Sequence, residues 1–211
     1  MRFLNLIVKR IIDFLGSLIG IVMISPILII IALSIKLTSK GPMFFKQERL
    51  GKNGKVFKVL KYRTMVVNAE KMGTGLFVKT ESDNRITSVG KLLRATSLDE
   101  LPQLWNVLIG SMSLVGPRPP VPSHPYKYEE YSDFQRKRFE MKPGITGLTQ
   151  VTVRNSVPWD ERIPIDVKYI ESFTVWLDIK ILFKTLMKLF KKESIYTHND
   201  SKENNNSSNY G

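Results

Sequence analysis

The chain has 211 residues, with 32 Lys and Arg against 19 Asp and Glu, a formal net charge of +13. That length suits one domain with a real core, and that charge suits phosphate-bearing partners: nucleotides, anionic lipid headgroups or nucleic acid. There is no cysteine and only two histidines, His124 and His198, so disulfides and thiolate metal sites are excluded, and a His-rich zinc site or a Ser–His–Asp triad is disfavoured.

Residues 14–35 carry no charged side chain and are dominated by Ile, Leu and Val. As a straight helix they would extend about 33 Å, enough to cross a bilayer. The run is too long for a signal peptide, and no small-residue cleavage site follows it. Ser25–Pro26 at its centre predicts a kink or break, because proline removes a backbone donor; the Ser25 hydroxyl can satisfy the freed carbonyl. Both flanks are basic, with Lys9 and Arg10 before and Lys36, Lys40 and Lys46 after. A spanning helix has one side richer in Lys and Arg, so two basic ends favour a helix that enters, bends and returns to the same face. In either arrangement the bulk of the chain is expected to be cytoplasmic. Asp13, at the edge of the run, is expected to anchor it by pairing with Lys9 or Arg10.

Residues 44–65 alternate around Asn53–Gly54 and predict a β-hairpin. It carries Lys46, Arg49, Lys52, Lys55, Lys58, Lys61 and Arg63. Either this is a solvated cationic ribbon, or Lys61 and Arg63 in KYRTM point at a phosphate-bearing ligand. Residues 68–87 read as a polar loop around a short helix, and 86–93 as helical. Ser97 and Glu100 fit an S-x-x-E capping box, whereas Pro102 favours Asp99 as the N-cap. Both choices put Asp99 and Glu100 in the first turn of the helix that Leu101, Leu104, Trp105 and Leu108 continue towards Gly110. Plain capping explains the acid pair. A helix N-terminus would also lower a carboxylate pKa and keep a nucleophile or metal ligand ionised, so capping and catalysis both stay open.

Residues 116–122, GPRPPVP, form a stiff extended segment: a linker, or a mount for Arg118 that loses little freedom when it grips a phosphate. Residues 126–141 predict a charged helix. KPGITGLTQ, 142–150, predicts a turn-rich loop whose N–H groups could line an anion site. Two helices are predicted over 165–190. The second has Lys180, Lys184 and Lys188 at i, i+4 spacing and is either membrane-interfacial or an ordinary core-packed helix. Residues 199–211 predict a disordered tail.

Taken in order, KRIIDFLGS, the central SP, GPMFFKQERLGKNGKVFKVLKYRTM, ITSVGKLLRATSLDELPQLWNVLIGSMSLVGPRP, KPGITGLTQV and DVKYIESFTVWLDIKIL resemble the bacterial sugar transferase family, the monotopic phosphoglycosyltransferases in their short catalytic form. The resemblance implies an α+β, mostly helical fold with a re-entrant membrane helix broken at Ser25–Pro26, a β-hairpin and interfacial amphipathic helices. One membrane-seated domain would cover 1–198, with the helix in 1–40, the catalytic part in 41–198 and 199–211 as tail, at the cytoplasmic face of a bacterial cell membrane. The implied reaction moves a sugar 1-phosphate from a UDP-sugar to polyprenyl (undecaprenyl) phosphate and releases UMP. It would be the first membrane step of exopolysaccharide, capsule or glycan synthesis.

By the same resemblance Asp99 is the nucleophile that forms a phosphosugar intermediate. Glu100 is the partner acid that assists the metal or the second substrate, and both acids are ligands for Mg²⁺. Arg118 and Arg154 match arginines near substrate phosphates, and Lys61, Arg63 and Arg94 join them as substrate-binding cations. Residues 152–155 read TVRN where many relatives read NGRN. Implied partners are phospholipid and downstream glycosyltransferases, with a homodimer open and no nucleic acid. The rival expectation is a non-catalytic cationic module that binds membrane surfaces.

Overall fold

The computed structural model describes residues 2–72, 83–153 and 156–190. The apolar run becomes the core of one long helix, α1 (Arg2–Thr38), long and apolar enough to cross a membrane by length and composition. It is continuous through Pro26, where a break is predicted. Pro26 lacks the N–H that would bond the Val22 carbonyl, and the Ser25 hydroxyl donates to that carbonyl instead at 2.8 Å. The polar group freed by proline is thus satisfied without interrupting the helix.

One stripe of α1 faces the rest of the protein along its length. Lys9, Asp13 and Ser17 are buried near its start, and Ile31 and Ile35 near its end. The opposite face presents exposed Leu18, Val22, Met23, Ile29, Ile30 and Leu33. The predicted pairing of Asp13 with Lys9 or Arg10 does not form, because all three reach into the body rather than along the helix. Asp13 accepts from the Ser113 hydroxyl at 3.0 Å and the Leu114 N–H at 2.9 Å. Lys9 donates to Asp178 at 2.6 Å, and Arg10 donates to the carbonyls of Val107 and Leu108.

The hairpin forms as β1 (Phe44–Leu50) and β2 (Val56–Tyr62), antiparallel from Phe44 opposite Tyr62 to Leu50 opposite Val56. Asn53 and Gly54 take φ of 56° and 72°, the left-handed geometry that Asn and Gly tolerate best. The chain then enters α2 (Ser88–Thr96), capped by the Thr87 hydroxyl, which accepts from the Gly90 N–H. A 3₁₀ turn (Leu98–Glu100) leads to α3 (Gln103–Leu108).

Beyond α3 the sequence reading and the structure part. β3 (Ser113–Val115) pairs in parallel with β4 (Gly144–Thr146) inside the predicted KPGITGLTQ loop, which continues into α5 (Leu148–Thr152). Three-residue strands are too short for alternation to reveal. The helix predicted over 126–141 is instead a short α4 (Asp133–Arg136) between 3₁₀ turns at Tyr128–Glu130 and Lys137–Phe139. Its basic end turns inward, because Arg138 is only 1% exposed.

The two closing helices are α6 (Trp159–Glu171) and α7 (Val175–Phe190). Their inner faces and β3 bury Val115, Met141, Val151, Tyr169, Ile170, Phe173 and Ile181 together. A second cluster joins Leu50 of β1 to Tyr131, Phe139, Ile163 and Val167. A third seats Ile31 and Ile35 of α1 on Tyr62 and Leu93. The outer face of α7 leaves Trp176, Ile179, Phe183, Leu186 and Met187 exposed. The tail predicted over 199–211 lies outside the described residues.

Candidate active site

The acid pair sits between two helices rather than at the start of one. α2 absorbs the chain as far as Thr96, and Ser97 ends it in the left-handed conformation at φ 58°. Asp99 and Glu100 follow in the 3₁₀ turn, and α3 begins only after Pro102. Neither Ser97 nor Asp99 caps a helix with its side chain, so the capping box does not form. The acids are therefore not held by helix N–H groups, and plain capping does not explain them.

Their surroundings drive the two carboxyls apart. Burial pushes Asp99 up from 3.8 to about 6; Lys61, Arg94 and Arg118 oppose the rise, and Glu100 adds to it. Burial also acts on Glu100, but Lys61 and Arg118 outweigh it and hold this carboxyl down at about 2. The geometry matches: Lys61 Nζ donates to Glu100 Oε1 at 2.6 Å, and Arg118 Nη2 reaches the same oxygen at 3.4 Å. One acid is thus ionised and cation-bound, and among the described residues its neighbour has no hydrogen-bonded cation; the rise at Asp99 is opposite to the lowering that a helix N-terminus would give.

Lys61 reaches Glu100 because Asn106 moors β2 to α3. Asn106 accepts from the Leu60 N–H at 2.9 Å and donates to the Lys58 carbonyl at 2.8 Å. Sequence reasoning passed over Asn106; its signal is a lone amide inside the apolar helix LWNVL. Arg94, in the last turn of α2, lies within the field of Asp99. Arg118 projects from the proline segment with its side chain 38% exposed. The structure therefore brings Lys61, Arg94 and Arg118 together around the pair.

Arg63 is not part of that ring. Its guanidinium donates to the carbonyls of Ser39 and Lys40 and to the Ser39 hydroxyl, just past the C-terminal end of α1. Arg63 lies one residue past the end of β2, beside the close of α1, and a helix end rich in free carbonyls attracts a cation. Arg154 lies outside the described residues.

Among the described residues no three His, Asp or Glu side chains converge as a metal cage. Asp99 and Glu100 supply adjacent hard oxygen donors, which suits Mg²⁺, an ion commonly held by one or two carboxylates together with substrate phosphates. The donor set therefore fits that ion.

The model of the family described as bacterial sugar transferase matches residues 4–192. A UDP-glucose:undecaprenyl-phosphate glucose-1-phosphate transferase of Klebsiella pneumoniae is 44% identical over 200 residues, covering 92% of this chain and 42% of that protein. Galactosyl transferase CpsE of Streptococcus agalactiae serotype III (strain NEM316) is 43% identical over 195 residues, 88% of this chain and 42% of its own. This chain thus spans less than half the length of those two relatives. A UDP-glucose:undecaprenyl-phosphate glucose-1-phosphate transferase of Caulobacter vibrioides (strain ATCC 19089 / CIP 103742 / CB 15) is 39% identical over 193 residues, 89% of this chain and 72% of that protein. With its ordered motifs, its cation-ringed acid pair and a family match over nearly its whole length, the chain belongs to the bacterial sugar transferase family.

Proposed function

We propose that this chain transfers a sugar 1-phosphate from a UDP-sugar to undecaprenyl phosphate, releasing UMP and leaving an undecaprenyl diphosphate sugar. The observation that carries the reading is the pair of adjacent acids ringed by Lys61, Arg94 and Arg118. Phosphoryl transfer needs positioning and charge neutralisation more than covalent machinery, and this arrangement supplies both. The names of the Klebsiella and Caulobacter relatives support the donor and acceptor classes.

Asp99 is the nucleophile. Its carboxylate oxygen bonds to the sugar-bearing phosphorus as the bond from that phosphorus to the bridging oxygen breaks, and UMP departs with the electron pair. A phosphate oxygen of the lipid then attacks the same phosphorus, and the Asp99 carboxylate is released unchanged. Asp99 suits this role because no cation ties up its oxygens by a hydrogen bond among the described residues. Arg118 and Lys61 hold phosphate oxygens. Asp99 and Glu100 would hold Mg²⁺, which when bound withdraws charge from the phosphates.

The exposed apolar faces of α1 and α7 support a seat at the membrane boundary, where a lipid phosphate lies within reach. Both ends of α1 touch the same body, through Lys9 at one end and Ile35 at the other, which supports a re-entrant seat over a free-standing span. The catalytic face would then be cytoplasmic, and the step would open exopolysaccharide, capsule or glycan synthesis.

The test is a panel of UDP-sugars with undecaprenyl phosphate, read as UMP release by the full chain. Release with at least one donor is expected. Silence across the panel would leave only a cationic module that binds membrane surfaces.

A further inference from the structure

The segment that carries Arg118 contains Pro117, Pro119 and Pro120 and so offers its surroundings mainly carbonyls. Each of four successive carbonyls is taken. Pro117 O accepts from Gly144 N at 3.1 Å, and Pro120 O from Leu50 N at 2.9 Å. Between them, Arg118 O accepts from Arg138 Nη2 at 3.0 Å, and Pro119 O from Arg49 Nη1 at 3.0 Å. The carbonyl of Arg118 and the next one along, that of Pro119, are thus held by guanidinium groups.

Both groups are themselves fixed. Gln47 Oε1 accepts from Arg49 Nε at 3.2 Å and from Nη2 at 2.5 Å. Arg138 Nη2 also donates to Asp166 Oδ2 at 2.6 Å, and the other oxygen of Asp166 accepts from the Thr149 hydroxyl. As devices for stability alone these are poor choices. Arg138 is buried, and its Nε and Nη1 find no hydrogen-bond partner among the described residues. Arg49 is drawn down to about 10, by burial first and by Arg118 next, with Glu100 opposing. Arg49 and Arg118 repel each other, and Arg138 is buried at a desolvation cost that its pairing with Asp166 offsets, so the arrangement makes sense for what it does to Arg118.

We propose that Arg49 and Arg138 are positioning residues for Arg118: by gripping the carbonyls of Arg118 and Pro119 they aim its guanidinium at the diphosphate of the nucleotide donor. This rests on the reading of Arg118 as a phosphate-binding group of the transferase. It assigns a task to Arg49 of the cationic hairpin and to Arg138 of the charged 126–141 segment.

The test is a double-substitution cycle on the full chain in detergent, with UDP as the titrated ligand and UMP release followed in parallel. Arg118→Ala and Arg49→Gln should each weaken UDP binding roughly tenfold, the scale of one charged hydrogen bond. The Arg49→Gln/Arg118→Ala chain should bind no worse than Arg118→Ala alone, because Arg49 acts only through Arg118. Arg138→Lys, which keeps the charge opposite Asp166, should weaken binding by a smaller factor that likewise vanishes in the Arg118→Ala background. Losses that multiply in the double variants would overturn the proposal, since each arginine would then act by itself; so would full UDP affinity in Arg49→Gln, or no UDP affinity in the unaltered chain. Multiplying losses with intact UMP release refute the positioning role alone. A non-additive cycle in a chain that releases no UMP refutes the transferase reading alone.

Discussion

Asp99→Asn should make the protein more stable while it abolishes turnover. Burial raises the Asp99 carboxyl from its ordinary 3.8 to about 6, so folding favours its neutral form. Below about pH 3.8 the group is neutral in both folded and unfolded chains and costs nothing. Between about 3.8 and 6 the unfolded chain gives up a proton that burial keeps on the folded one, so stability falls across that range and levels off above about 6. Integrating between those values gives a penalty of about 3 kcal/mol near pH 7.5 and about 1 kcal/mol near pH 4.5. Asparagine has nearly the same shape and no charge, so it removes that penalty. Thermal unfolding of the full chain in detergent with EDTA, at both pH values, measures the difference. For a chain of this size the gain corresponds to roughly 6–12 °C near neutrality and roughly 2–4 °C in acid. A gap that is absent, reversed or equal at the two pH values would refute the burial argument. Full UMP release by Asp99→Asn would refute the nucleophile.

Gly90→Ala should destabilise, although alanine is the better helix former. A Cβ at Gly90 would lie 2.0 Å from the Thr64 carbonyl oxygen, which already accepts from the Thr87 N–H. Overpacking against backbone, about 1–3 kcal/mol, exceeds the propensity gain of about 1 kcal/mol and shifts α2, so both melting temperature and UMP release should drop. A neutral or stabilised variant would show that α2 has room there. Chelation with EDTA should stop UMP release and added Mg²⁺ should restore it; undiminished release in chelator would remove the ion from the chemistry. The chain should remain in pelleted membranes at about 1 M NaCl, where charges are screened beyond about 3 Å, because α1 and α7 hold it by apolar contact. Release into the supernatant under those conditions would assign its retention to charge instead.

Much of the frame was readable in advance. An uncharged apolar run can only be a buried or membrane helix, and it became α1, with Ser25 rescuing the Val22 carbonyl as its position beside Pro26 suggested. Strict alternation around Asn53–Gly54 specified the hairpin. The acid pair stood out by composition, but its setting did not. Ser97, Glu100 and Pro102 all carry helix-start signals, yet α2 runs on to Thr96, Ser97 ends it, and the acids are left in a 3₁₀ turn. Arg63 and Lys61 looked equivalent two residues apart in one motif, yet Lys61, inside β2, meets Glu100, whereas Arg63, just past the strand, is taken by the carbonyls at the end of α1. Arg138 looked like one cation in a charged helix, and the structure buries it against Asp166.

By itself, then, the sequence determined where the chain is apolar, where it must turn, and which residues could carry phosphate chemistry. These follow from interactions within a few positions, such as backbone hydrogen bonding, side-chain periodicity and proline's missing donor. Only the tertiary structure decided which cation meets which acid and how deeply each is covered. Lys61 and Glu100 are 39 positions apart, and desolvation depends on everything packed around them. A carboxyl's charge state reflects that whole surrounding volume, which local spacing does not encode.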